Sequence, residues 1–452
     1  MARRDGATWV VAQKAAKRVL ERLTRPPRVV VEPDALGPRV FAYRAFGGAG
    51  PQGDVAPYYR TDARVPTRRG AAVAVATWAP VEKAAHRPTI VYCSGTNSSG
   101  RADAISSGAL AVALELRAAL VAFDFVGSGG SDDGVTSFGW WERYDVAAVV
   151  EHARREHPGS RVVVWGGASS GAVAALLCAS RLDPSVEGLV LDSAPARLRD
   201  HVLEVLKDAL KPDAPYREQL VQEIAGFVDE RLKRRADFRL DDVDPARECG
   251  NRLFKDKPVL VIGEHDAQGS VAASHAQELN GVLRGAAAGK GRRRSADDGR
   301  LTTNHEILVV QGRTGPQRAA AAHVPAALAV IAGFLEKVFP RANPVAFAFF
   351  TRRAPRGIRD RLLARTPPWV TDDPELAKMS SHLQHVERAH AAKKAGGADA
   401  ARKAGDGADA APAAKPRHKK HHAKPGEKKH AKAADDDGKK KHHHHHHQKE
   451  TQ

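Results

Sequence analysis

The stretch RVVVWGGASSGAVAALL, residues 161–177, decides the fold. Residues 162–165 form an apolar, mostly β-branched run, as in a strand buried on both faces, and residues 172–177 are typical of a buried helix. The turn between them reads Gly-x-Ser-x-Gly. A strand, a sharp turn and a helix in this order are the context of a nucleophile elbow. We therefore predict that Ser169 is a nucleophile; the alternative is an ordinary turn rich in glycine and serine.

Two glycines, Gly167 and Gly171, flank this serine. A serine held on a strained turn needs neighbours without side chains, because strand and helix must pack closely there. A nucleophilic serine also needs two backbone N–H donors for the developing oxyanion. Ser170 follows the nucleophile and is predicted to supply one. The polar, glycine-rich loop 94–100 follows another strand and is suited to supply the second, from Thr96 or else Asn97, unless it is a turn without chemical role.

Working outward from the elbow, short β-branched runs alternate with longer helical ones between about residues 64 and 338. This alternation predicts a parallel sheet with crossover helices. The predicted strands are residues 71–78, 89–95, 119–125, 161–167, 188–193, 258–263 and 306–312. Helices are predicted over residues 106–117, 141–156 and 170–182.

A serine hydroxyl is a poor nucleophile unless a base takes its proton and an acid orients that base. Asp266 is the candidate acid, since it follows the strand 258–263 at the sheet edge where the elbow also lies. Helix capping or loop solvation is the alternative. Its neighbours Glu264 and His265 are expected to be solvated.

The regular alternation stops between residues 195 and 257, where two charged amphipathic helices are predicted. An insert of this length is too long for an ordinary connection, and it could cover the carboxyl edge of the sheet as a lid. Residues 285–300, rich in Gly, Arg and Ser, are predicted to be a flexible surface loop.

The chain has 452 residues and a formal net charge of +18. Residues 381–452 contain 17 basic and nine acidic residues and 13 of the 21 histidines, and no Phe, Tyr or Trp follows Trp369. Such a segment buries too little apolar surface to offset the entropy of ordering, so we predict a disordered tail and a folded part ending near residue 350 to 370. A solvated tail is the default interpretation. Loose contact with RNA or an acidic membrane is the alternative, and His442 to His447 would bind added nickel or zinc.

The chain begins with an amphipathic stretch whose apolar side includes Trp9, Ala12, Ala16, Leu20 and Leu23. We predict a docked surface helix, with a mitochondrial transit peptide as the alternative. The three cysteines are few and odd in number and lie in hydrophobic stretches, which excludes a disulfide framework and favours a reducing compartment, the cytoplasm. No stretch is long and apolar enough to predict a membrane span.

Several segments together resemble the α/β-hydrolase fold enzymes of the serine aminopeptidase-like type, especially an uncharacterised plant, algal and protist branch. The resemblance spans roughly residues 20–340. It depends on the order of LTRPPRVVVEPDAL, YYRTDARVPTRRGAAVAVATWAP, AFDFVGSGGSDDGVTSFGWWERYDVAAVV, VWGGASSGA, GLVLDSA, DDVDPARECGNRLFKDKPVLVIGEHD and SHAQEL. The motif RPPR within it favours a mature N-terminus over a transit peptide.

The resemblance implies a Ser, Asp, His triad in that chain order, with Ser169 as nucleophile and Asp266 as acid. The histidine departs from the family pattern, because the last strand is followed by Arg313, Thr314 and Gly315. His323 comes eleven residues after Gly312 and is the predicted base, provided that the loop before it folds back. His305 precedes the last strand and is expected at the opposite edge.

The sequence thus predicts an α/β-hydrolase fold with a mostly parallel central sheet, helices on both faces and a helical lid. The predicted segments are 1–62, an N-terminal helix and extension; 63–345, the hydrolase domain with its lid at 195–257; 346–380, a C-terminal extension; and 381–452, the tail. The predicted function is a serine hydrolase acting on a small-molecule acyl substrate, an ester, thioester or amide, without cofactor or metal. The alternative is a catalytically inactive hydrolase-fold binding protein whose basic tail contacts polyanions.

Overall fold

The structure is a computed structural model, and residues 1–392 form one compact unit while residues 393–452 form a second. The described residues are 6–45, 54–82, 87–95, 100–210, 212, 216–265, 273–288, 305–311, 325–339, 367, 369–371 and 373–406.

A nine-stranded sheet forms the centre of the first unit. Its strands are β1 (Val40–Ala45), β2 (Asp54–Pro66), β3 (Ala72–Pro80), β4 (Thr89–Cys93), β5 (Ala119–Phe123), β6 (Val162–Gly166), β7 (Gly188–Asp192), β8 (Val259–His265) and β9 (His305–Gln311). They lie in the order β1-β2-β3-β5-β4-β6-β7-β8-β9. The pairs from β5 to β9 are all parallel, whereas β1, β2 and β3 are antiparallel to their neighbours. The mostly parallel sheet predicted from the sequence is confirmed.

The two N-terminal strands β1 and β2 were not among the predicted elements. They pair with each other in a register that sets Val40 opposite Tyr59. The predicted boundary between residues 62 and 63 falls inside β2, and the sheet begins before it, at β1. The strand β2 lacks the continuous apolar run of the central strands and carries charged residues at intervals, which explains why its pattern was not recognised.

The helices are α1 (Gly6–Thr24), α2 (Asp103–Ser106), α3 (Ala109–Glu115), α4 (Glu142–Glu156), α5 (Ser170–Arg181), α6 (Leu198–Ala209), α7 (Arg217–Ala236), α8 (Pro245–Cys249), α9 (Ala273–Ala288), α10 (Pro325–Val338) and α11 (Pro374–Asp406). Side chains of a strand alternate between the two faces of its sheet. Accordingly, Val162 and Val164 pack with α4, α5 and α9, and Val163 and Trp165 pack with α3 and α10. Helices therefore cover both faces of the central strands, as predicted.

The predicted insert 195–257 contains the two amphipathic helices α6 and α7. Their apolar sides form a third cluster, separate from the two sheet faces, that includes Val202 and Val228. The helix α1 joins this cluster through the buried side chains of Ala16, Leu20 and Leu23. The N-terminal stretch is thus a docked helix, and it packs on the insert.

The ordered chain extends beyond the predicted end of the folded part near residue 350 to 370. Trp369 packs edge-on against Phe41 with ring centroids 5.8 Å apart, and Leu376 in α11 is buried. The backbone N–H of Ala42 donates to Ser380 Oγ over 3.0 Å. The predicted boundary was wrong because two or three apolar residues suffice to dock a helix onto β1, although the segment as a whole is poor in apolar residues.

The predicted disordered tail begins at residue 381, and α11 continues past that point to Asp406. Residues 407–452, with the histidine run, lie outside the described residues, as do residues 289–304 of the predicted flexible loop. Within the described part of the chain, no helix has both the length and the apolar character needed to span a bilayer.

Candidate active site

The predicted elbow is present between β6 and α5. The chain leaves β6 at Gly166, turns through residues 167–169 and enters α5 at Ser170. Ser169 has φ 67° and ψ −99°, outside the helical and extended regions where a residue with a Cβ is comfortable. Such a conformation costs about 1–3 kcal/mol and persists only where the surroundings impose it. The turn thus holds Ser169 in the strained geometry that the nucleophile hypothesis requires.

The two flanking glycines allow this turn to approach the end of β4. A Cβ on Gly171 would lie 2.5 Å from the carbonyl oxygen of Cys93 and 2.6 Å from that of Ser94, and a Cβ on Gly167 would lie 2.9 Å from the carbonyl oxygen of Cys93. These distances are too short for any side chain. Both positions therefore require glycine, as expected, but the reason is their close approach to the end of β4 and not the packing of β6 on α5.

A third glycine at the elbow, Gly166, was missed in the sequence. A Cβ there would lie 2.3 Å from Ala172 Cα, so Gly166 is the glycine that lets β6 and α5 cross closely. It is the first glycine of the pair that ends the strand run, and the motif Gly-x-Ser-x-Gly does not include it.

Backbone hydrogen bonds hold the elbow between its neighbouring strands. The N–H of Gly167 donates to the carbonyl of Cys93 in β4 over 2.7 Å, and the N–H of Ser169 donates to the carbonyl of Asp192 in β7 over 3.0 Å. Asp192 itself is fully buried, and its Oδ1 accepts from Ser193 Oγ at 2.9 Å. The apolar run 188–193 predicted the strand β7. Nothing in its sequence indicated that the carbonyl of Asp192 would accept a hydrogen bond from the elbow.

Of the predicted oxyanion donors, only Ser170 lies within the described residues. Ser170 is buried at the first residue of α5, where backbone N–H groups point out of the helix and favour negative charge. Gly95 lies against the elbow, since a Cβ there would be 2.2 Å from the carbonyl oxygen of Ala168. The start of the loop 94–100 is therefore beside the turn, as expected. Thr96 and Asn97 lie outside the described residues, so the second donor stays a prediction.

A buried carboxylate, Asp124, fixes the other end of this loop. Its side chain accepts hydrogen bonds from Arg101 N at 2.7 Å, Arg101 Nε at 3.0 Å and Gly130 N at 2.8 Å. Asp124 follows β5, so one carboxylate joins the loop after β4 to the loop after β5. The sequence signal was an acidic residue directly after a buried strand, and we had not assigned it a role.

The predicted acid and base, Asp266 and His323, both lie outside the described residues. The backbone shows that Asp266 follows the last residue of β8, whose carboxyl end lies at the same sheet edge as the elbow because the strands are parallel. The order of the strands sets β7 between β6 and β8. This topology is compatible with the triad and does not test it.

The expectation for His305 is confirmed. It is the first residue of β9 and pairs with Val259, the first residue of β8, so it lies at the amino edge of the sheet, opposite the elbow. Its Nε2 contacts the carbonyl of Phe254 at 2.7 Å. The expectation for Glu264 was wrong, because the residue is buried, at 8% exposure.

Two imidazoles that the sequence did not single out lie at the helix α6: His201 is a residue of this helix, and His275 in α9 contacts it. The N–H of Ala196 donates to His275 Nδ1 at 3.3 Å, so His275 Nε2 carries the proton and donates to Glu204 Oε2 at 3.0 Å. Burial, together with the neighbouring His275, lowers the pKa of His201 to about 4. His201 therefore stays neutral at physiological pH.

A small cavity of about 30 Å³ lies beside the nucleophile turn. Its lining includes Ser94, Gly95 and Ser170 as well as the apolar residues Phe125 and Phe138. Glu142 also lines it, but its carboxylate accepts from the N–H groups of residues 137 and 139 and from the hydroxyl of residue 137. Within the described ranges, no group of three or more His, Cys, Asp or Glu side chains is arranged to hold a metal ion.

Comparison with known proteins shows that part of this chain matches a known family. Residues 85–237 match the family described as serine aminopeptidase, S33. Three solved structures are similar at low identity. An esterase of Pyrococcus furiosus is 18% identical, with 70% of this chain and 97% of that chain covered and a TM-score of 0.47. A proline iminopeptidase of Mycobacterium smegmatis is 15% identical, with 62% and 98% covered and a TM-score of 0.41. A thermostable carboxyl esterase of Bacillus coagulans, in complex with glycerol, is 12% identical, with 62% and 98% covered and a TM-score of 0.42. No curated protein matches the chain.

Proposed function

Because this chain is an α/β-hydrolase of the serine aminopeptidase-like type, we propose that it is a serine hydrolase that cleaves an ester, thioester or amide bond with Ser169 as nucleophile. The observation that carries the proposal is the strained backbone of Ser169, with φ 67° between β6 and α5. A turn of this kind is held by close backbone contacts on both sides, and it exposes the serine at the carboxyl edge of the sheet.

In the proposed reaction, Ser169 Oγ attacks the carbonyl carbon of the substrate while His323 takes its proton and Asp266 orients the imidazole. The tetrahedral intermediate then expels the alcohol, thiol or amine, which receives the proton from His323. Water, deprotonated by the same imidazole, attacks the acyl-enzyme, and the acid product leaves with Ser169 restored. Asp266 enters this scheme from its position after β8 and from the family resemblance, and His323 enters it as the histidine that follows the last strand, a departure from the family pattern. The strand order is compatible with both.

Stabilisation of the oxyanion is proposed to come from the backbone N–H of Ser170 and from that of Thr96. Ser170 begins a helix of 12 residues, whose N-terminal dipole adds a favourable interaction with negative charge. The close contact of Gly95 with the elbow supports a donor from the loop that follows. Preorganised donors of this kind supply a large part of the rate enhancement in acyl transfer.

Labelling with a fluorophosphonate tests the nucleophile. We expect stoichiometric labelling of the unmodified chain and none of Ser169→Ala. The matched control is Ser170→Ala, the adjacent serine, which removes a hydroxyl but keeps the proposed backbone donor and should still be labelled. Equal labelling of Ser169→Ala and the unmodified chain would contradict the assignment. If no variant reacts, the alternative of an inactive hydrolase-fold binding protein is favoured.

A further inference from the structure

The segment that follows α1 forms one side of the cavity next to the nucleophile turn. Leu23, Pro26, Pro27 and Val29 line it together with Ser170 and the start of the loop 94–100. These residues lie more than 50 positions before the first residue of the family match. The matched segment therefore does not contain the wall that they form.

Hydrogen bonds hold this segment in place at both ends. At its start, Thr136 Oγ1 donates to the carbonyl of Leu23 over 2.9 Å, and the N–H of Thr136 donates to the carbonyl of Thr24 over 3.0 Å. Further on, Arg28 Nε donates to the carbonyl of Gly129 over 2.8 Å, and its Nη2 donates to the carbonyl of Ser131. The wall is thus tied to the loop after β5.

Packing of α1 reinforces the same arrangement. Leu20 and Leu23 are buried in the cluster that contains the α7 side chains and Phe138, which also lines the cavity. A movement of the segment away from the cavity would therefore separate α1 from α7. The wall is a fixed part of the structure rather than a loose arm.

The residues that the N-terminal segment contributes to the cavity lining are apolar, and the cavity is small. Its volume of about 30 Å³ corresponds to about two water molecules, since one water needs roughly 10–15 Å³. Val29 is 44% exposed at its edge. Leu23 and Pro26, which also line the cavity, are both buried, and a longer hydrocarbon chain in the cavity would contact them.

We propose that the segment Leu23–Val29 closes the acyl-binding pocket of this enzyme and restricts its substrates to short apolar acyl groups. The inference rests on the proposed serine hydrolase function, because the cavity has meaning as an acyl pocket only if Ser169 is acylated. It assigns substrate selection to the N-terminal segment, in addition to any role of the helices α6 and α7.

The test compares hydrolysis of p-nitrophenyl acetate, butyrate and octanoate by the full chain, as kcat/KM. The unmodified protein should lose about tenfold or more from acetate to octanoate. In Val29→Ala the ratio of octanoate to acetate should rise by about three- to tenfold, less than the 10–200-fold that one methylene can contribute in a closed pocket, because Val29 is half exposed. Val30→Ala is the matched control: Val30 is 61% exposed, does not line the cavity, and should leave the ratio unchanged.

Arg28→Ala gives a second measurement that does not alter the lining. Loss of its hydrogen bonds should loosen the wall and shift the ratio in the same direction as Val29→Ala. An octanoate rate equal to the acetate rate in the unmodified protein, or ratios unchanged in both variants, would overturn this inference while hydrolysis itself upheld the proposed function. Absence of hydrolysis of all three esters, with no fluorophosphonate labelling, would overturn the function and this inference together.

Discussion

Ser169 shows at the scale of single residues how the fold prepares a reactive group. Its N–H binds the carbonyl of Asp192, its carbonyl accepts from the N–H of Val173, and glycines on both sides let it approach β4. The strain is therefore imposed by the backbone of its neighbours, which is the arrangement expected where conformation serves function.

Two buried titratable residues predict opposite pH dependences of stability. Burial raises the pKa of Asp145 to about 7, despite the nearby Arg69, and burial lowers the pKa of His201 to about 4. Asp145 binds its proton more tightly in the folded chain, so it lowers the free energy of unfolding as pH rises from about 4 to 7. His201 binds its proton less tightly in the folded chain, so it lowers this free energy as pH falls from about 6.5 to 4.

Urea unfolding between pH 4.5 and 7.5 should separate the two contributions. Asp145→Asn should make the stability of the protein rise more steeply with pH over this range, and His201→Gln should make it fall. The two effects partly cancel in the unmodified chain, and each amounts to a few kcal/mol at most. Identical slopes in both variants would show that neither group titrates as described.

The proposed base leads to a prediction of its own. His323→Ala should lower kcat/KM for p-nitrophenyl acetate by several powers of ten with little change in the free energy of unfolding, because a serine without a base is a poor nucleophile. His305→Gln is the control, since His305 lies at the opposite sheet edge and binds a backbone carbonyl. It should lower stability and leave kcat/KM nearly unchanged. The reverse pattern would remove His323 from the mechanism.

At the scale of elements, α5 and α7 place glycines in opposite situations. Gly171 in α5 has two carbonyl oxygens within 2.6 Å of its ideal Cβ position, whereas Gly226 in α7 has no atom within 4 Å. Gly171 therefore allows α5 to pack closely against its neighbour, whereas Gly226 makes no close contact and only lowers the stability of α7. Helix propensity alone favours alanine over glycine by about 1 kcal/mol in both.

Replacing each of these glycines by alanine should change the free energy of unfolding in opposite directions. Gly171→Ala should lower it by about 2 kcal/mol or more, because α5 must move away from β4, and should reduce hydrolysis as the elbow shifts. Gly226→Ala should raise it by about 0.5–1 kcal/mol. Chemical denaturation of the two variants measures both values, and a stable, active Gly171→Ala would show that the elbow tolerates the displacement.

The whole molecule is organised so that both ends of its first unit take part in one fold. The helix α1 packs on α7, and the start of α11 packs on β1 beside Trp369. Residues 381–392 expose most of their side chains. The contacts that stabilise this end of the unit therefore lie between residues 367 and 380.

Two shortened chains test this distribution of stability. A chain ending at residue 392 should keep its thermal midpoint, because it retains Trp369, Leu376 and Ser380, which dock this end of the unit onto β1. A chain ending at residue 366 should lose about 5 °C or more, since Trp369, Leu376 and Ser380 are removed. Equal midpoints would contradict the packing role of these residues.

The polyanion contact expected of the basic tail predicts that the full chain binds RNA and that this binding is lost in the chain ending at residue 392. The binding should also weaken steeply as the salt concentration rises.

The sequence alone predicted the central strands from β3 to β9 to within a few residues, the elbow at Ser169 and the helical insert. These features are local: a continuous apolar run, a glycine pair around a serine and a 3.6-residue period each act through neighbours along the chain. The edge strands β1 and β2 were missed because their patterns acquire meaning only beside β3. The docking of α11 was missed for the same reason.

Only the tertiary structure decided which distant segments meet at the site. The residues of the N-terminal segment read as a link between two elements, yet they form a wall of the cavity because α1 packs on α7 and Thr136 and Arg28 hold the segment to the loop after β5. Asp192 and Asp124 likewise act through contacts with segments distant in sequence: the Asp192 carbonyl binds the elbow, and the Asp124 carboxylate joins the loops after β4 and β5. Local patterns specify elements through short-range sterics and burial, whereas the composition of a pocket depends on long-range packing, which no short stretch of sequence contains.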